Sequence, residues 1–370
     1  MRAVGRRFLV LWSFALMASN FSGAADRPLR VGIVGLVHGH VHGFLDASRN
    51  SPEIDIVGIA EPDRKLALQN AARYGFKPEL LFADLEEMLQ KAHPEAVLAY
   101  TNTYDHRRVV EVCARHGVHV MMEKPLAVSL EDALAMEKAA HAGHIQVLVN
   151  YETTWYASNR AAYDLAHDGS IGGIRKVVVH DGHNGPREIN VEPEFFAWLT
   201  DPKLDGGGAL FDFGCYGADL MTWLMDGKRP QSVTAVTQQI KPDIYPHVDD
   251  EATIILTYPT AQAILQASWN WPFGRKDMEV YGRTGYAITV LRDQIRVRRG
   301  SEQSHEEQVT AKPLPSPYDN SLSYVRAVLL DGAQPDVLSS LETNVTVTEI
   351  LDAARRSAAT GKTIRLPASR

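Results

Sequence analysis

The chain has 370 residues, which is enough for two domains of common size. Hydrophobic residues make up 45% of it, charged residues 22%, and the formal net charge at pH 7 is -7. This composition is typical of a globular protein. The negative charge argues against nucleic acid or an anionic membrane as the main partner, because both favour a basic face. Two cysteines, Cys113 and Cys215, are too few for a disulfide framework.

The N-terminus has the pattern of an export signal. A positively charged start that contains Arg6 and Arg7 precedes the apolar run 8–19, which is short for a membrane span. Small residues up to Ala25 then offer a cleavage site, and the arginine pair favours the twin-arginine route. We expect residues 1–25 to be removed, which leaves a periplasmic or secreted protein without membrane contact. An uncleaved anchor is the alternative.

From Leu29 to about Asn150, short apolar runs alternate with helix-like stretches that end in glycine. This repetition predicts a parallel, doubly wound sheet of the Rossmann type, and hence a dinucleotide-binding domain over residues 29–150. The predicted strands are 30–36, 55–61, 96–101, 119–123 and 146–151.

The first strand runs into the turn "VGIVGLVHGHVHGF". The dinucleotide fingerprint G-x-G-x-x-G uses its glycines to bring backbone close to a pyrophosphate at a helix N-terminus. Here Gly35 fills the first glycine position, whereas Val37 and His40 occupy the second and third. We expect a wider turn that uses Gly35 and Gly39, with His38 or His40 near the phosphates.

The second strand ends in Glu61, an acidic residue at about the place where dinucleotide folds bind the adenosine ribose. Such a carboxylate accepts hydrogen bonds from the ribose 2′-hydroxyl, which favours NAD. Arg64 lies close by and keeps NADP open, because an arginine can bind a 2′-phosphate.

Three histidines, His38, His40 and His42, lie within one short stretch of the turn. Neutral imidazoles are common metal ligands, and two of these residues can share one helix face. No ligand pattern of a known metal motif accompanies them. We therefore expect no metal site and place these side chains at the mouth of the cofactor cleft.

After residue 151 the pattern changes to that of an α+β domain, which we assign to 151–370 as the domain for substrate binding and oligomerisation. Close-spaced alternating runs predict a large, mostly antiparallel sheet. The last predicted helix has no assigned partner and can pack on either domain. The predicted elements are a helix at 158–168, a strand at 174–182, a glycine-rich turn and helix at 204–225, strands within 231–300, a polar loop at 300–317 and a helix at 341–359.

Three motifs stand in order along the chain. "TNTYDH" begins at Thr101, "HVMMEKPLAVS" contains Glu123, Lys124 and Pro125, and "GGGALFDFGCYGADL" contains an aspartate four positions before a tyrosine. Together they resemble the Gfo/Idh/MocA family, which includes glucose–fructose oxidoreductase and inositol dehydrogenase. The first motif is similar to the family's T-P-x-x-x-H, with Asn102 in place of proline.

The resemblance covers nearly the whole mature chain and implies an oxidoreductase. It implies an NAD(P)-dependent enzyme that oxidises or reduces a secondary alcohol or ketone of a sugar, polyol or related hydroxylated ring. It also implies a homo-oligomer, dimer or tetramer, and a cis bond between Lys124 and Pro125. The expected cofactor-binding residues are Gly35, Val37, His38, Gly39, His40, Glu61, Thr101, Asn102, His106, Glu123 and Lys124.

By the same resemblance, Lys124, Asp212 and Tyr216 form the catalytic group. A lysine at a strand end can stabilise the negative charge that develops on the reacting oxygen. Tyr216 can carry the proton if Lys124 lowers its pKa. Asp212 precedes Tyr216 by one helical turn, so we expect both on one helix face, with Asp212 binding a substrate hydroxyl or holding the other two.

Further residues of the second half are candidates for substrate contacts. Relatives often carry an arginine two positions after the residue equivalent to Asn150, whereas this chain has Glu152 there. Tryptophan rings can stack on a sugar or pack in the core. These candidates are His180, Asp181, His183, Asn184, Trp198, Trp269 and Trp271.

Two other functions remain open at this point. One is a glycosidase or lyase that retains NAD and oxidises its substrate only transiently, with no net redox change. The other is a binding protein that has lost the cofactor, which Val37 and His40 suggest because they replace the small residues of the turn.

Overall fold

The computed structural model describes residues 27–300 and 302–367. The predicted signal segment 1–25 lies outside them. Within the described ranges, no helix is both long and apolar enough to cross a membrane.

The first half forms a six-stranded parallel sheet in the order β3-β2-β1-β4-β5-β6, which confirms the predicted Rossmann-type domain. Chain order reverses between β1 and β4, so the crevice at their carboxyl ends is where such folds bind ligands. The strands are β1 (Leu29–Val34), β2 (Ile54–Ala60), β3 (Leu81–Phe82), β4 (Ala96–Ala99), β5 (His119–Glu123) and β6 (Val147–Asn150). The helices between them are α1 (His40–Ser48), α2 (Arg64–Tyr74), α3 (Leu85–Ala92), α4 (His106–His116) and α5 (Leu130–Gly143).

Local signals set the ends of these helices. Asp63, Asp84 and Ser129 accept hydrogen bonds from backbone N–H groups in the first turns of α2, α3 and α5. Gly75 and Gly117 end α2 and α4 in the left-handed conformation that glycine adopts without strain. The side chains between the caps pack on both faces of the sheet, as continuous apolar strands require.

The second half forms a nine-stranded sheet in the order β14-β13-β12-β11-β7-β10-β9-β8-β15. Only β7 and β10 pair in parallel within this described sheet, so the predicted mostly antiparallel sheet is confirmed. Its strands are β7 (Ile174–Gly182), β8 (Ser232–Gln238), β9 (Glu251–Thr257), β10 (Gln262–Ser268), β11 (Arg275–Gly282), β12 (Gly285–Thr289), β13 (Gln294–Arg299), β14 (Glu307–Thr310) and β15 (Ile364–Arg365). The remaining helices are α6 (Ala157–His167), α7 (Pro193–Leu199), α8 (Ala209–Asp212), α9 (Gly214–Leu224), α10 (Ser321–Leu329) and α11 (Leu341–Thr360).

Two predictions in this half are wrong in part. The polar stretch 300–317 is not all loop, because Glu307–Thr310 forms the edge strand β14 on β13. Its side chains are exposed, so no apolar alternation marks it in the sequence. The helix predicted after the glycine run is interrupted at Phe213, where the backbone φ of -107° departs from helical values.

The last helix packs on both domains. α11 lies against α5 of the first domain and against α9 and β8 of the second. The Tyr151 hydroxyl donates a hydrogen bond to Asn344 Oδ1 at 3.0 Å, and both side chains are fully buried. α10 is not among the predicted elements, and its Tyr324 and Val325 join the apolar cluster beside α1. The contacts of α11 and the Tyr151–Asn344 hydrogen bond therefore hold the first domain against the second.

Candidate active site

The carboxyl end of β5 carries Glu123 and, directly after it, Lys124. The Lys124–Pro125 peptide bond is cis, which confirms that expectation. His106 is buried below this loop, and its Nδ1 lies 3.1 Å from the Pro125 carbonyl oxygen and 3.2 Å from that of Leu126. Burial lowers the pKa of His106, so the neutral ring donates from Nδ1 and holds the loop. The structure thus places His106 behind Lys124, with 1% of the residue exposed.

Lys124 and Asp212 meet across the domain boundary as a buried ion pair. The Lys124 ammonium donates to the Asp212 carboxylate Oδ1 and, at 3.0 Å, to the Asp212 carbonyl oxygen. The second carboxylate oxygen accepts the indole N–H of Trp269 at 2.9 Å. Hydrogen bonds therefore orient both carboxylate oxygens and the ammonium, as a buried ion pair requires.

Burial opposes both charges of this pair, and their mutual attraction overcomes it. Although burial alone raises the pKa of Asp212, the Lys124 ammonium holds it at about 2. Burial likewise lowers the pKa of Lys124, yet Asp212 raises it above its ordinary value. At neutral pH the site therefore contains a charged ammonium and a charged carboxylate.

Tyr216 lies beside this pair, but its hydroxyl does not contact the Lys124 ammonium. The Lys124 ammonium lies over the tyrosine ring, 5.3 Å from the centroid, rather than at the hydroxyl. Burial raises the pKa of Tyr216 well above its ordinary value, so the lowered pKa that was the condition for its proton role is not found. Asp212 and Tyr216 also stand on two successive helices, α8 and α9, and not on one continuous helix.

The cation nearest the Tyr216 hydroxyl in the described contacts is Lys276, whose Nζ lies 3.5 Å from it. Lys276 forms an ion pair with Glu152, which also pairs with Arg292 and accepts the Tyr156 hydroxyl at 2.7 Å. The attraction of Lys276 and Arg292 outweighs burial and holds the pKa of Glu152 at about 2. Glu152, the departure from the arginine of relatives, therefore ties the segment after β6 to β11.

No motif identifies Lys276, yet the strand pattern contains a signal. Lys276 falls in phase with Met278 and Val280, which are fully buried on the helix-covered face of β11. A charged residue at a core-facing position needs a partner or a function. Its neighbour across the strand pair, Asp181, is also buried, and neither carboxylate oxygen has a hydrogen-bond partner in the described part of the chain.

An inner cavity of about 360 Å³ lies between the domains. Lys124, Asp212, Tyr216, His183 and Lys276 line it. His183 Nδ1 accepts the Gly185 backbone N–H at 2.9 Å, and burial lowers the pKa of His183. The ring is therefore neutral with its proton on Nε2, where it serves as a hydrogen-bond donor.

Two of the three tryptophan candidates are buried and contact other protein groups. Trp269 is fully buried and holds Asp212, and Trp198 is 5% exposed. Trp271 is half-buried, with the Arg275 guanidinium 5.9 Å from its ring centroid. His180 is nearly buried, and its Nδ1 lies 3.1 Å from Asp277 Oδ1. Of the second-half candidates, His183 is the one that borders the cavity with Lys124.

The turn after β1 depends on Gly35. Its φ is +77°, and a Cβ there would lie 2.7 Å from Thr101 Cγ2 and 2.8 Å from the Thr101 nitrogen. Glu61 is 4% exposed, and its carboxylate accepts the N–H groups of Leu36 and Asp63, each at 2.8 Å. Burial raises the pKa of Glu61 despite these bonds. Glu61 therefore lies against the turn after β1, and its carboxylate connects that turn to the residues that follow β2.

The segment after β4 lies next to this turn. Thr101 is nearly buried, and its hydroxyl donates to the Asn102 carbonyl oxygen at 2.9 Å. Asn102 Oδ1 accepts the Asp105 N–H at 3.0 Å and caps a short helical turn. The asparagine that replaces the usual proline therefore has a local structural partner.

The histidines of the turn divide into two groups. His40 Nδ1 lies 2.9 Å from Glu123 Oε2, and His38 Nδ1 accepts the His40 N–H at 3.2 Å. Ligand atoms of His38, His40 and Glu123 lie within 4.8 Å of one another, so these residues could hold a metal ion. His42 instead contacts the Tyr74 hydroxyl at 2.9 Å. The expectation of no metal site in this turn therefore stays a prediction.

Helix α7 of the second domain covers the turn. The Trp198 indole N–H donates to the Val37 carbonyl oxygen at 3.1 Å, and the Phe195 ring lies 4.6 Å from that of His38. A Cβ on Gly39 would lie 2.7 Å from Glu192 Oε2. A carboxylate therefore stands at the N-terminus of α1, where dinucleotide folds place phosphate.

The residues nevertheless fit NAD along the rest of the edge. The inner cavity meets a second cavity of about 460 Å³ at Gly39 and His40, and Tyr100, Glu123 and Asn150 line that second space. Gly35 provides the close turn, and one carboxylate, Glu61, lies at the end of β2. One neighbour is unfavourable for a phosphate at this place, because the Glu192 carboxylate is also negatively charged.

A Rossmann sheet with a lysine at its switch-point edge, completed by a carboxylate from a second domain, is the architecture of a two-domain oxidoreductase. This chain belongs to the Gfo/Idh/MocA oxidoreductase family. The family's "NAD-binding Rossmann fold" model matches residues 29–151 and its "C-terminal domain" model matches 159–288. The first domain is therefore an NAD-binding Rossmann domain.

Curated relatives include the trans-1,2-dihydrobenzene-1,2-diol dehydrogenase of Xenopus tropicalis, 24% identical over 84% of this chain and 92% of that protein. The 1,5-anhydro-D-fructose reductase of Ensifer adhaerens is 28% identical over 40% of this chain and 43% of that protein. These relatives are dehydrogenases or reductases that act on hydroxyl or carbonyl groups.

Solved structures share the whole fold. The aldose–aldose oxidoreductase of Caulobacter crescentus, complexed with glycerol, has a TM-score of 0.77 at 22% identity, with 92% of this chain and 100% of that chain covered. Levoglucosan dehydrogenase, complexed with NADH and levoglucosan, has a TM-score of 0.76 at 22% identity, with the same coverage.

The carboxylate at the N-terminus of α1 predicts a measurable effect on cofactor affinity. Glu192→Gln removes a negative charge from the place that receives phosphate, so we expect NAD to bind about two- to fivefold more tightly. Isothermal titration calorimetry of the purified protein with NAD measures this. Glu131→Gln, an exposed first-turn residue of α5, is the control and leaves the affinity unchanged. Weaker binding in Glu192→Gln would instead make Glu192 a cofactor ligand.

Proposed function

We propose that this protein is an NAD-dependent dehydrogenase that acts on a secondary alcohol, or on the corresponding ketone, of a sugar, polyol or related hydroxylated ring. The observation that carries the proposal is the Lys124–Asp212 pair in the inner cavity, beside Tyr216 and His183. When bound, NAD accepts the hydride from the substrate carbon. The relatives that act on a ring diol and on an anhydro sugar support this substrate class.

Lys124 supplies the charge that the reaction needs. Its ammonium has three N–H groups, and contacts with Asp212 occupy two of them. The third is free to donate to the reacting oxygen and to stabilise negative charge on it. Because Asp212 and Trp269 fix the ammonium in advance, little reorganisation is required when that charge develops.

His183 and Tyr216 complete the proposed site. The Nε2–H of neutral His183 donates a hydrogen bond to a substrate oxygen, as an oriented neutral imidazole can. In ketone reduction the Tyr216 hydroxyl, with the Lys276 ammonium 3.5 Å away, donates its proton to the reacting oxygen, and in alcohol oxidation the tyrosinate accepts the proton of the substrate hydroxyl. The raised pKa of Tyr216 keeps the hydroxyl protonated, which favours proton donation to a ketone.

On the cofactor side we assign NAD rather than NADP. Glu61 lies at the end of β2, where a carboxylate accepts hydrogen bonds from the ribose and repels a 2′-phosphate. The predicted contacts along the turn and the next strand ends remain proposals for the residues that line or shape this edge: Gly35, Val37, His38, Gly39, His40, Thr101, Asn102, His106, Glu123 and Lys124.

Replacing the lysine tests the proposed chemistry. We expect Lys124→Met to lower kcat by about 10²- to 10³-fold, the usual cost of removing an oxyanion-stabilising donor. The double variant Lys124→Met/Asp212→Asn avoids an uncompensated buried carboxylate and should fold at least as well as the single variant. NADH formation with a panel of sugars and polyols is the measurement, and exposed Lys138→Met is the control.

Full turnover by Lys124→Met would reject this assignment. A wild-type protein that binds NAD, forms no NADH and cleaves a glycoside would instead be an enzyme with transient oxidation. A protein that binds no dinucleotide at all would reject both enzymatic functions.

We also propose that the protein is exported by the twin-arginine route and loses residues 1–25. The support is the sequence alone: the Arg6-Arg7 pair, the short apolar run and the small residues that follow. Arg6→Lys/Arg7→Lys keeps the charge and should retain the protein in the cytoplasm, as fractionation would show. N-terminal sequencing of the wild-type mature protein should begin near residue 26. A retained N-terminus would indicate a membrane anchor.

We further propose a dimer or tetramer formed through the open face of the second sheet. Ile255, Ile264, Val178 and Ile288 stand in one row across neighbouring strands, interrupted by Glu279, and all are only half-buried. Such a row of aliphatic side chains on an uncovered face marks an association surface. Sedimentation analysis should show a dimer or tetramer.

In that experiment, Ile264→Asp should shift the population toward monomer, because it places a charge in the middle of the row. Leu68→Asp is the control, since Leu68 is 46% exposed on α2 of the first domain. A wild-type protein that sediments only as a monomer would reject the proposed assembly.

A further inference from the structure

An outer cavity of about 580 Å³ opens next to the inner one. His183 and Lys276 line both spaces, so the two cavities share a wall at the residues proposed to contact substrate. The outer cavity is the larger of the two. Ligand pockets for small molecules commonly measure about 300–1,000 Å³. Each space therefore has the size of a binding site of its own.

The charges around the outer cavity cancel. Its cations are Arg275, Lys276 and Arg292, and its carboxylates are Glu152, Asp277 and Asp293. Glu152 pairs with Lys276 and Arg292, and Arg275 pairs with Asp277 at 2.7 Å. A phosphate or carboxylate would find no cation in excess here. Paired charged groups instead offer several fixed donors and acceptors, which suit a neutral ligand with many hydroxyl groups.

The same cavity carries apolar surface. Val290 and Leu291 line it and are 42% and 63% exposed, although both are large aliphatic residues. Tyr156 presents a ring at the same wall, with the Arg292 guanidinium 4.8 Å from its centroid. Hydroxyl-binding groups beside exposed aliphatic and aromatic carbon match a sugar, which has polar edges and C–H faces.

We propose that the outer cavity is a second sugar subsite and that the substrate is a neutral glycoside. One ring lies in the inner cavity beside Lys124, and the glycosidic neighbour extends past His183 and Lys276 into the outer cavity. This inference rests on the proposed function, because it assumes that the inner cavity receives the reacting ring. Selectivity for a disaccharide over its single sugar is its consequence.

Gly274 gives a precise way to fill the outer cavity. It lines that space, and a Cβ built on it meets no atom within 4 Å, so a larger side chain can be introduced without a backbone clash. Gly274→Trp should occupy the subsite and leave the inner cavity open. Gly274→Ala is the matched control, because it makes the same backbone change with little added volume. Thermal unfolding establishes that both variants fold.

The experiment compares monosaccharides with their disaccharides: glucose with maltose and cellobiose, and galactose with lactose. For the wild-type protein we expect at least one disaccharide to exceed its monosaccharide tenfold or more in kcat/KM for NADH formation. Gly274→Trp should abolish that preference and leave monosaccharide turnover unchanged, whereas Gly274→Ala should behave as wild type.

Calorimetric titration of the NAD-loaded protein with the same sugars separates this inference from the proposed reaction. Disaccharide binding that Gly274→Trp abolishes, without NADH formation, would support the subsite and reject the dehydrogenase. Equal use of both sugar sizes, a preference that Gly274→Trp leaves intact, or no binding of any disaccharide would overturn the subsite. Arg292→Met provides a second variant, which should weaken disaccharide binding without filling the cavity.

Discussion

The site depends on one buried ion pair that spans two domains. Lys124 and Asp212 expose only 6% and 8% of their side chains, so each charge relies on the other for compensation. Trp269 occupies the remaining carboxylate oxygen. An ammonium held in this way remains charged and keeps its position before substrate arrives. The same contact requires the carboxyl edge of the parallel sheet and the end of α8 to meet, which defines the inner cavity between them.

Other contacts across the boundary shape what surrounds that pair. Trp198 of α7 donates to the turn after β1, and Glu152, directly after the last strand of the first domain and Tyr151, pairs with Lys276 of β11. In this setting the His38 ring packs against Phe195 of α7, and the Val37 carbonyl oxygen accepts the Trp198 indole N–H. The surroundings of the turn after β1 and the inner cavity are therefore properties of the domain boundary rather than of either sheet.

Much of the fold was readable from local pattern. Alternating apolar strands and glycine-ended helices predicted the first sheet, and close-spaced alternation predicted the second. The sequence pattern did not predict edge strand β14, because its side chains are exposed and show no apolar alternation. Asp212 and Tyr216 were expected on one helix face, and a proton role for Tyr216 required that Lys124 lower its pKa. A break at Phe213 and full burial of the tyrosine changed both the geometry and the direction of its pKa shift.

The sequence by itself determined the family, the two sheets and the identity of Lys124, Asp212 and Tyr216 as neighbours in one site, because ordered motifs and periodicity are local properties of a chain. Only the tertiary structure decided that Lys276 is the cation at the Tyr216 hydroxyl and that Glu192 lies at the N-terminus of α1. The tertiary structure also decided that the outer cavity adjoins the inner cavity. Each of these features involves residues that are far apart in sequence. Their contacts follow from how two domains pack, and no spacing rule along the chain encodes that packing.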